Sequence, residues 1–489
     1  MMALIGGLVI VLGFIILVKF LGLVENSTKV IKIAKSAIII VRDTNLGDHQ
    51  KEIAMQQHAK ELFFLFFLIV MGSVVALAVP FSFIWLMELA ELLTVAEVVD
   101  TTLSWEFITV TIVISIGYIW LMRRKPKKPL ESLTNRYSVV AKSLHKLAFK
   151  CQFSQISLSD LESRLFKKDL ANIKITKPVF ITALPRAGTT LLLELCVKTN
   201  ELVSHTYRDM PFLLTPLFWD RFSRLFKQSD ILRERAHGDG MMINVDSPEA
   251  FEEIIWKVFW PSRYRKDRII PWSEPNYPDF EKFLYDHLRK IIFLRGSNVS
   301  PLARYISKNN LNIARIGYLK RIFPDSIIVV SFRDPLQHAS SLLRQHRNFL
   351  KIHQEDSFAC KYMEDIGHYD FGNNLRPVDF NTWLSLEPVL TNTNTLLFWL
   401  QYWINTYRYL LKSAHHIKFI SYDSFCNTPK ENLEKFGKFL EIKNINTLIE
   451  YADRIVVPKP YPIDINGIPS DILSQADALY MDLQKISFR

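Results

Sequence analysis

A chain of 489 residues with 60 Lys+Arg against 49 Asp+Glu carries a formal net charge of +11, and 49% of its residues are hydrophobic. Such a length allows roughly two to three domains, and the 22% charged and 12% aromatic content excludes a disordered or fibrous chain. A mean hydropathy of +0.09 is high for a purely soluble protein and too low for one that is membrane throughout. The four cysteines (Cys151, Cys196, Cys360, Cys426) lie far apart without a CxxC pair, which argues against a disulfide framework and a structural zinc site.

The apolar surplus is concentrated near the N-terminus. Residues 1–18, 62–87 and 107–122 contain no charge and are expected to form three transmembrane helices. The second would span roughly 39 Å as a helix, with Pro80 as a site for a kink. Trp105 and Trp120 fall where an aromatic belt would lie. A cleaved signal peptide is the alternative for the first, although it lacks a basic n-region and a small-x-small cleavage site.

Loop charges give an orientation. Lys29, Lys32, Lys35, Arg42, Lys51 and Lys60 precede the second segment, no Lys or Arg occurs in 88–106, and RRKPKK fills 123–128. The positive-inside rule then puts the first loop and everything after Arg123 in the cytoplasm, in a multi-pass protein of the inner or plasma membrane. Residues 30–41 read as a helix along the inner interface or as a short cytoplasmic core helix. The division is therefore a membrane region at 1–128 and a cytoplasmic domain at 129–489. Residues 1–122 carry a net −3 and the remainder +14. A soluble part so basic suits an anionic nucleotide, an anionic membrane surface or both, or is simply a solvated surface. Nucleic acid is not an expected partner.

Residues 130–170 read as an amphipathic helix (YSVVAKSLHKLAF) followed by a polar spacer. A strand-like run at 178–183 leads through a turn into an apolar helix at 191–197. A second such unit has a strand at 327–332, Arg333-Asp334-Pro335, and a helix from 336 to about 349. A third strand at 417–421 precedes a helix at 429–440, and further helices are expected at 248–259 and 396–411. Continuous apolar strands followed by helices predict an α/β fold with a parallel sheet flanked by helices.

The first strand ends in ALPRAGTT, residues 183–190. A tight loop opening into a helix is the geometry of an anion site, because amide N–H groups and the helix dipole both favour a phosphate. Against the Walker A spacing Gly188 and Thr190 fall correctly, but Ala183 replaces the first glycine and Thr189 the lysine. The cation is Arg186, inside the loop. In the second unit Arg333 ends the strand and Ser341 follows eight residues on, a pair able to grip one more phosphate.

Together PVFITALPRAGTTLLLEL and IIVVSFRDPLQHASSLL, about 145 residues apart, resemble the two nucleotide motifs of the sulfotransferase superfamily. The resemblance covers roughly 178–445 and leaves the membrane segments outside it. It implies a P-loop-like α/β core and use of 3′-phosphoadenosine 5′-phosphosulfate without a metal. It also implies that Arg186, Ala187, Gly188, Thr189 and Thr190 bind the 5′-phosphosulfate, with Arg186 acting on the reacting group, and that Arg333 and Ser341 bind the 3′-phosphate. Lys308 is similar to a family lysine lining the cleft, or is a plain surface lysine. The Arg-Lys-Gly loop with which many members close the nucleotide is missing, and Lys459 in VPKP is a weak substitute.

The acceptor hydroxyl needs a general base. Where one branch of the family has a glutamate, this chain reads HTYRD, so the candidates are His237 in a glycine-flanked loop and Asp209. Glu249 reads as part of a capping box with Asp246, and Glu252 and Glu253 stay open. The stretch 256–277, with three tryptophans, is either a lid over a sugar or lipid or a packed core segment. The acceptor would be a lipid-linked, glycan or small hydroxyl compound at the bilayer. The competing readings are a P-loop kinase or NTPase, which lacks its lysine, and an inactive nucleotide-binding membrane scaffold.

Overall fold

In the computed structural model the apolar runs at the heart of the chain form a parallel sheet. The structure describes residues 2–23, 48–90, 93–105, 139–150, 152–223, 233–234, 242–273, 276–296, 303–386 and 392–488, with single positions at 26, 27, 30, 33, 107 and 109. The chain divides into two compact units, Met1–Leu130 and Glu131–Arg489.

The first unit contains helices α1 (Met2–Phe20), α2 (Asp48–Leu89) and α3 (Val95–Leu103). Helix α2 continues through Pro80. A small apolar cluster of Ile10, Ile84, Leu93 and Val98 holds the three together. The stretch Glu61–Leu89 is 29 residues long with a mean hydropathy of 2.9, enough to cross a membrane by length and composition. Its surface is apolar, with Phe63, Phe64, Phe66, Phe67, Trp85 and Leu86 exposed. Among the described residues it is the one such helix; the apolar part of α1, Gly6–Phe20, is shorter. The expectation of three spans in a multi-pass protein is thus supported for one helix only; most of the third expected span, the basic run 123–128 and most of the expected interfacial helix at 30–41 lie outside the described residues.

In the second unit the strands are β1 (Val179–Thr182), β2 (Leu202–Val203), β3 (Arg233–Glu234), β4 (Met242–Ile243), β5 (Arg304–Lys308), β6 (Ile327–Phe332) and β7 (Lys418–Ser421). Five of them pair in parallel in the order β2-β5-β1-β6-β7, while β3 and β4 form a separate antiparallel ribbon. Successive side chains go to opposite faces. Phe180, Tyr305, Ile328, Val330 and Phe419 enter one core, and Val179, Ile181, Ile306, Val329 and Ile420 enter the other. Both faces are covered by helices, which is why these strands read as unbroken apolar runs.

Five expected helices are present: α4 (Thr189–Lys198), α5 (Glu253–Phe259), α7 (Pro335–Glu355), α8 (Leu396–Leu411) and α10 (Pro429–Phe439), of which α8 has the expected ends; α6 (Pro278–Gly296), α9 (Tyr422–Asn427) and α11 (Ser470–Ile486) were not among those expected. Pro335 opens α7 behind Asp334, whose side chain accepts from Gln337 N at 2.9 Å. The supposed polar spacer is a helix, Gln152–Leu165. Its Glu162 is fully buried and pairs with Lys290 of α6 at 3.2 Å.

One expectation is overturned, and one open alternative is resolved in favour of the core. No capping box forms at 246–249, since the helix begins only at Glu253. Residues 245–249 instead run beside 205–208, with Arg208 N bonded to Val245 O and Glu249 N to His205 O. Arg208 takes Asp246 at 2.8 Å, and the Tyr207 hydroxyl donates to Glu249 at 2.8 Å. The tryptophan-rich stretch is core: Trp256, Trp260 and Trp272 are all buried in the larger cluster. Between Trp256 and Trp272 lies the buried Arg315 guanidinium, 4.0 and 4.8 Å from their ring centroids, ion-paired with Glu253.

Candidate active site

A parallel sheet places the C-terminal ends of its strands on one side, and ligands bind where neighbouring strands send their chains in opposite directions. From β1 the chain goes towards β2, and from β6 towards β7, so the crevice lies between β1 and β6. The residues there are the 183–190 loop and Arg333.

The loop backbone is unusual. Arg186 has φ 69° and Gly188 φ 78°, and Gly188 is the N-cap of α4. A Cβ on Gly188 would come within 2.0 Å of the Tyr422 ring, so conformation and space both require glycine there. Three consecutive carbonyls of the loop accept bonds from the β6–α7 unit. His338 Nε2 donates to Pro185 O at 2.7 Å, Arg333 Nη1 to Arg186 O at 3.3 Å, and Ser331 Oγ to Ala187 O at 2.7 Å. With its acceptors bound in this way, the turn is fixed as it enters the ten-residue helix α4, whose first amides have no acceptor inside the helix. That arrangement suits a phosphate or sulfate group.

Arg333 is itself oriented. Its Nε donates to Asp423 Oδ1 at 3.2 Å, and the other oxygen of Asp423 accepts from Asp334 N at 2.7 Å. Asp423 sits at the end of β7, in α9, so three neighbouring strand ends converge on one guanidinium. Ser341 lies two turns into α7 and is 5% exposed. Burial together with Arg333 holds His338 down to about 3, so its Nε2–H remains a neutral donor to the loop. Lys308 is the last residue of β5, beside Ile181, at 9% exposure. It is a strand-end residue, not an open surface lysine.

The base candidates are placed differently. His237 lies outside the described residues. Asp209 is 1% exposed, accepts from Thr206 N at 2.8 Å and is ion-paired with Arg295. Burial raises its pKa above the ordinary range, against the opposing pull of Arg295. Its carboxylate closes the short turn 206–209 as a capping box. Glu252 is buried between Trp256 Nε1 at 2.9 Å and the Tyr305 hydroxyl at 3.1 Å, and Glu253 is held by Arg315, Asn309 and Tyr264. Both belong to the core. Lys459 is exposed on the segment that follows Ile455.

Sequence reasoning missed His338, Ser331 and Asp423. His338 was within a quoted motif, but nothing in its local pattern reports a partner 153 positions away.

Residues 178–371 match the model of the sulfotransferase family. That segment is a sulfotransferase-family domain, and the chain is an enzyme of the sulfotransferase class. Among solved structures, the chain is similar to sulfotransferase STF9 from Mycobacterium avium, with 12% identity, a TM-score of 0.40, and coverage of 66% of this chain and 80% of that one. It is also similar to sulfotransferase STF1 from Mycobacterium tuberculosis H37Rv, with 12% identity, a TM-score of 0.33, and coverage of 66% and 81%.

Proposed function

We propose that the enzyme transfers a sulfuryl group from 3′-phosphoadenosine 5′-phosphosulfate to a hydroxyl of a lipid-linked, glycan or small acceptor at a membrane. One observation carries the reading: the two motif segments, 147 positions apart, meet at the bond from Arg333 to the Arg186 carbonyl. The 186–190 loop and the start of α4 would hold the 5′-phosphosulfate, and Arg333 with Ser341 the 3′-phosphate. No metal is needed in this reading, because Arg186 and the amides supply the positive potential.

Calorimetric titration tests it. A charge-assisted bond contributes about 1.5–3 kcal/mol, so adenosine 3′,5′-bisphosphate should bind about tenfold to a hundredfold more tightly than adenosine 5′-phosphate. Arg333→Ala should remove most of that gap by weakening the bisphosphate far more than the monophosphate, whose loop loses one of its three carbonyl bonds. Equal affinities in the wild type would overturn the reading, and ATP binding that strengthens with magnesium would favour a kinase or NTPase. Bisphosphate binding without sulfate transfer to any membrane fraction would favour the inactive scaffold.

The membrane context rests on the apolar helix Glu61–Leu89 and on the basic residues flanking the uncharged segments. A reporter fused after Arg489 should be active as a cytoplasmic fusion, and one inserted near Thr94 as an external one. The reverse result would place the catalytic unit outside the cytoplasm.

A further inference from the structure

After Ile455, which packs in the smaller core, residues 456–469 cross to α11 as an irregular strap with most side chains exposed. At Tyr461 the strap is attached to α7. Gln337 Nε2 donates to Tyr461 O at 3.1 Å, and Tyr461 N donates back to Gln337 Oε1 at 2.9 Å. The side-chain amide thus does for Tyr461 what a neighbouring strand would do. Farther along the same helix, the Arg344 guanidinium lies 3.3 Å from the Tyr461 ring centroid.

Gln337, Ser341 and Arg344 are spaced four and three residues apart, so they share one face of α7. The strap therefore runs along the face that carries Ser341. Arg344 lowers the Tyr461 hydroxyl pKa, and Arg186 and Arg333 act in the same direction. Although Arg344 covers one side of the ring, Tyr461 is still 44% exposed.

We propose that Tyr461 is the stacking platform for the nucleobase, a planar heteroaromatic ring resting on the side opposite Arg344. This rests on the nucleotide reading of the site given above. Base–aromatic stacking tolerates any base, because every base presents a π-face, and a guanidinium behind the ring adds a cation–π contact. The strap would then perform, with an aromatic residue and an arginine from α7, the closing role for which the chain has no Arg-Lys-Gly sequence.

The test compares adenosine 3′,5′-bisphosphate with ribose 3,5-bisphosphate, which keeps both phosphates and lacks the base. Each is titrated calorimetrically into the full chain in nanodiscs, as wild type, Tyr461→Leu and Tyr461→Phe. Tyr461→Leu should weaken the nucleotide about tenfold and leave ribose bisphosphate unchanged, while Tyr461→Phe keeps the wild-type preference. Equal weakening of both ligands would make Tyr461 a clasp for the strap and overturn the platform. Unchanged nucleotide affinity in Tyr461→Leu would overturn it as well, with the phosphate assignments left standing. A wild type that binds neither ligand overturns both readings.

Discussion

Arg186→Ala should lower turnover about 10²–10³-fold, the scale for removing one donor from developing transition-state charge. In the proposed reaction, negative charge would move onto the bridging oxygen and the 5′-phosphate as the sulfur–oxygen bond of the donor breaks. A guanidinium inside the loop would meet that charge where it grows. The structure makes the substitution interpretable. Arg186 sits at φ 69°, a conformation that costs arginine and alanine alike, so the loop is no more strained in the variant. The bond from Arg333 is to the Arg186 carbonyl, which alanine keeps. His338 and Ser331 still hold the carbonyls on either side. Nucleotide affinity should fall far less than turnover. Steady-state kinetics together with bisphosphate titration separate the two effects, and near-normal turnover would remove Arg186 from the chemistry.

The parts of this fold that were legible in the sequence are those where one segment suffices to encode them. Strand β6, with IIVVSF buried on both faces, and β1 announce themselves as apolar runs before helices. Strand β5 was not legible as a strand. It is central, between β2 and β1, yet RYISK begins and ends on cations because its ends reach polar partners: Arg304 meets the Leu440 carbonyl, and Lys308 lies at the crevice side. Strand β2 is only two residues long. The loop and Arg333 could be singled out as candidates through spacing and resemblance, whereas Asp423, His338 and Tyr461 bond to partners that folding brings from 90 to 153 positions away. The tryptophan-rich stretch shows the same limit from the other side. Its mix of aromatic and basic residues fits a lid equally well until Arg315 and Glu253, 62 positions apart, are seen to pair inside it.

Stability should fall steeply as the pH is lowered from 7 to 5, because several histidines are folded in the neutral form. His346 Nδ1 accepts from Gly372 N and His353 Nδ1 from Asn373 N, each at 3.1 Å, so two successive amides depend on unprotonated rings seven residues apart on α7. His205 and His287 face each other with their Nε2 atoms 2.9 Å apart, where one donates and the other must accept. His338 is the third histidine of α7 and secures the loop through Pro185 O. Burial holds His205 and His338 down to about 3, and His346 and His353 to about 4. Nearby cations act in the same direction: Arg295 on His205, Arg333 and Arg186 on His338, and Arg347 on His346. For His353 the neighbouring His368 lowers the value further, and Asp356 opposes it. In the unfolded chain these rings take up a proton near pH 6.5. Below that point the unfolded state therefore binds more protons than the folded one, and stability falls with pH through the window from 6.5 to about 4. Between pH 7 and 5 each such histidine removes about 2 kcal/mol. Four of them together approach the whole stability of an ordinary domain, about 5–15 kcal/mol. Thermal unfolding followed by tryptophan fluorescence at pH 7, 6 and 5 should show a drop that steepens below 6.5. In the double variant His346→Asn, His353→Asn the side-chain oxygens can still accept from the two amides, but no proton is taken up there, so the slope should become shallower. A profile that stays flat to pH 5, or a double variant with an unchanged slope, would show that these rings are not held neutral by the fold.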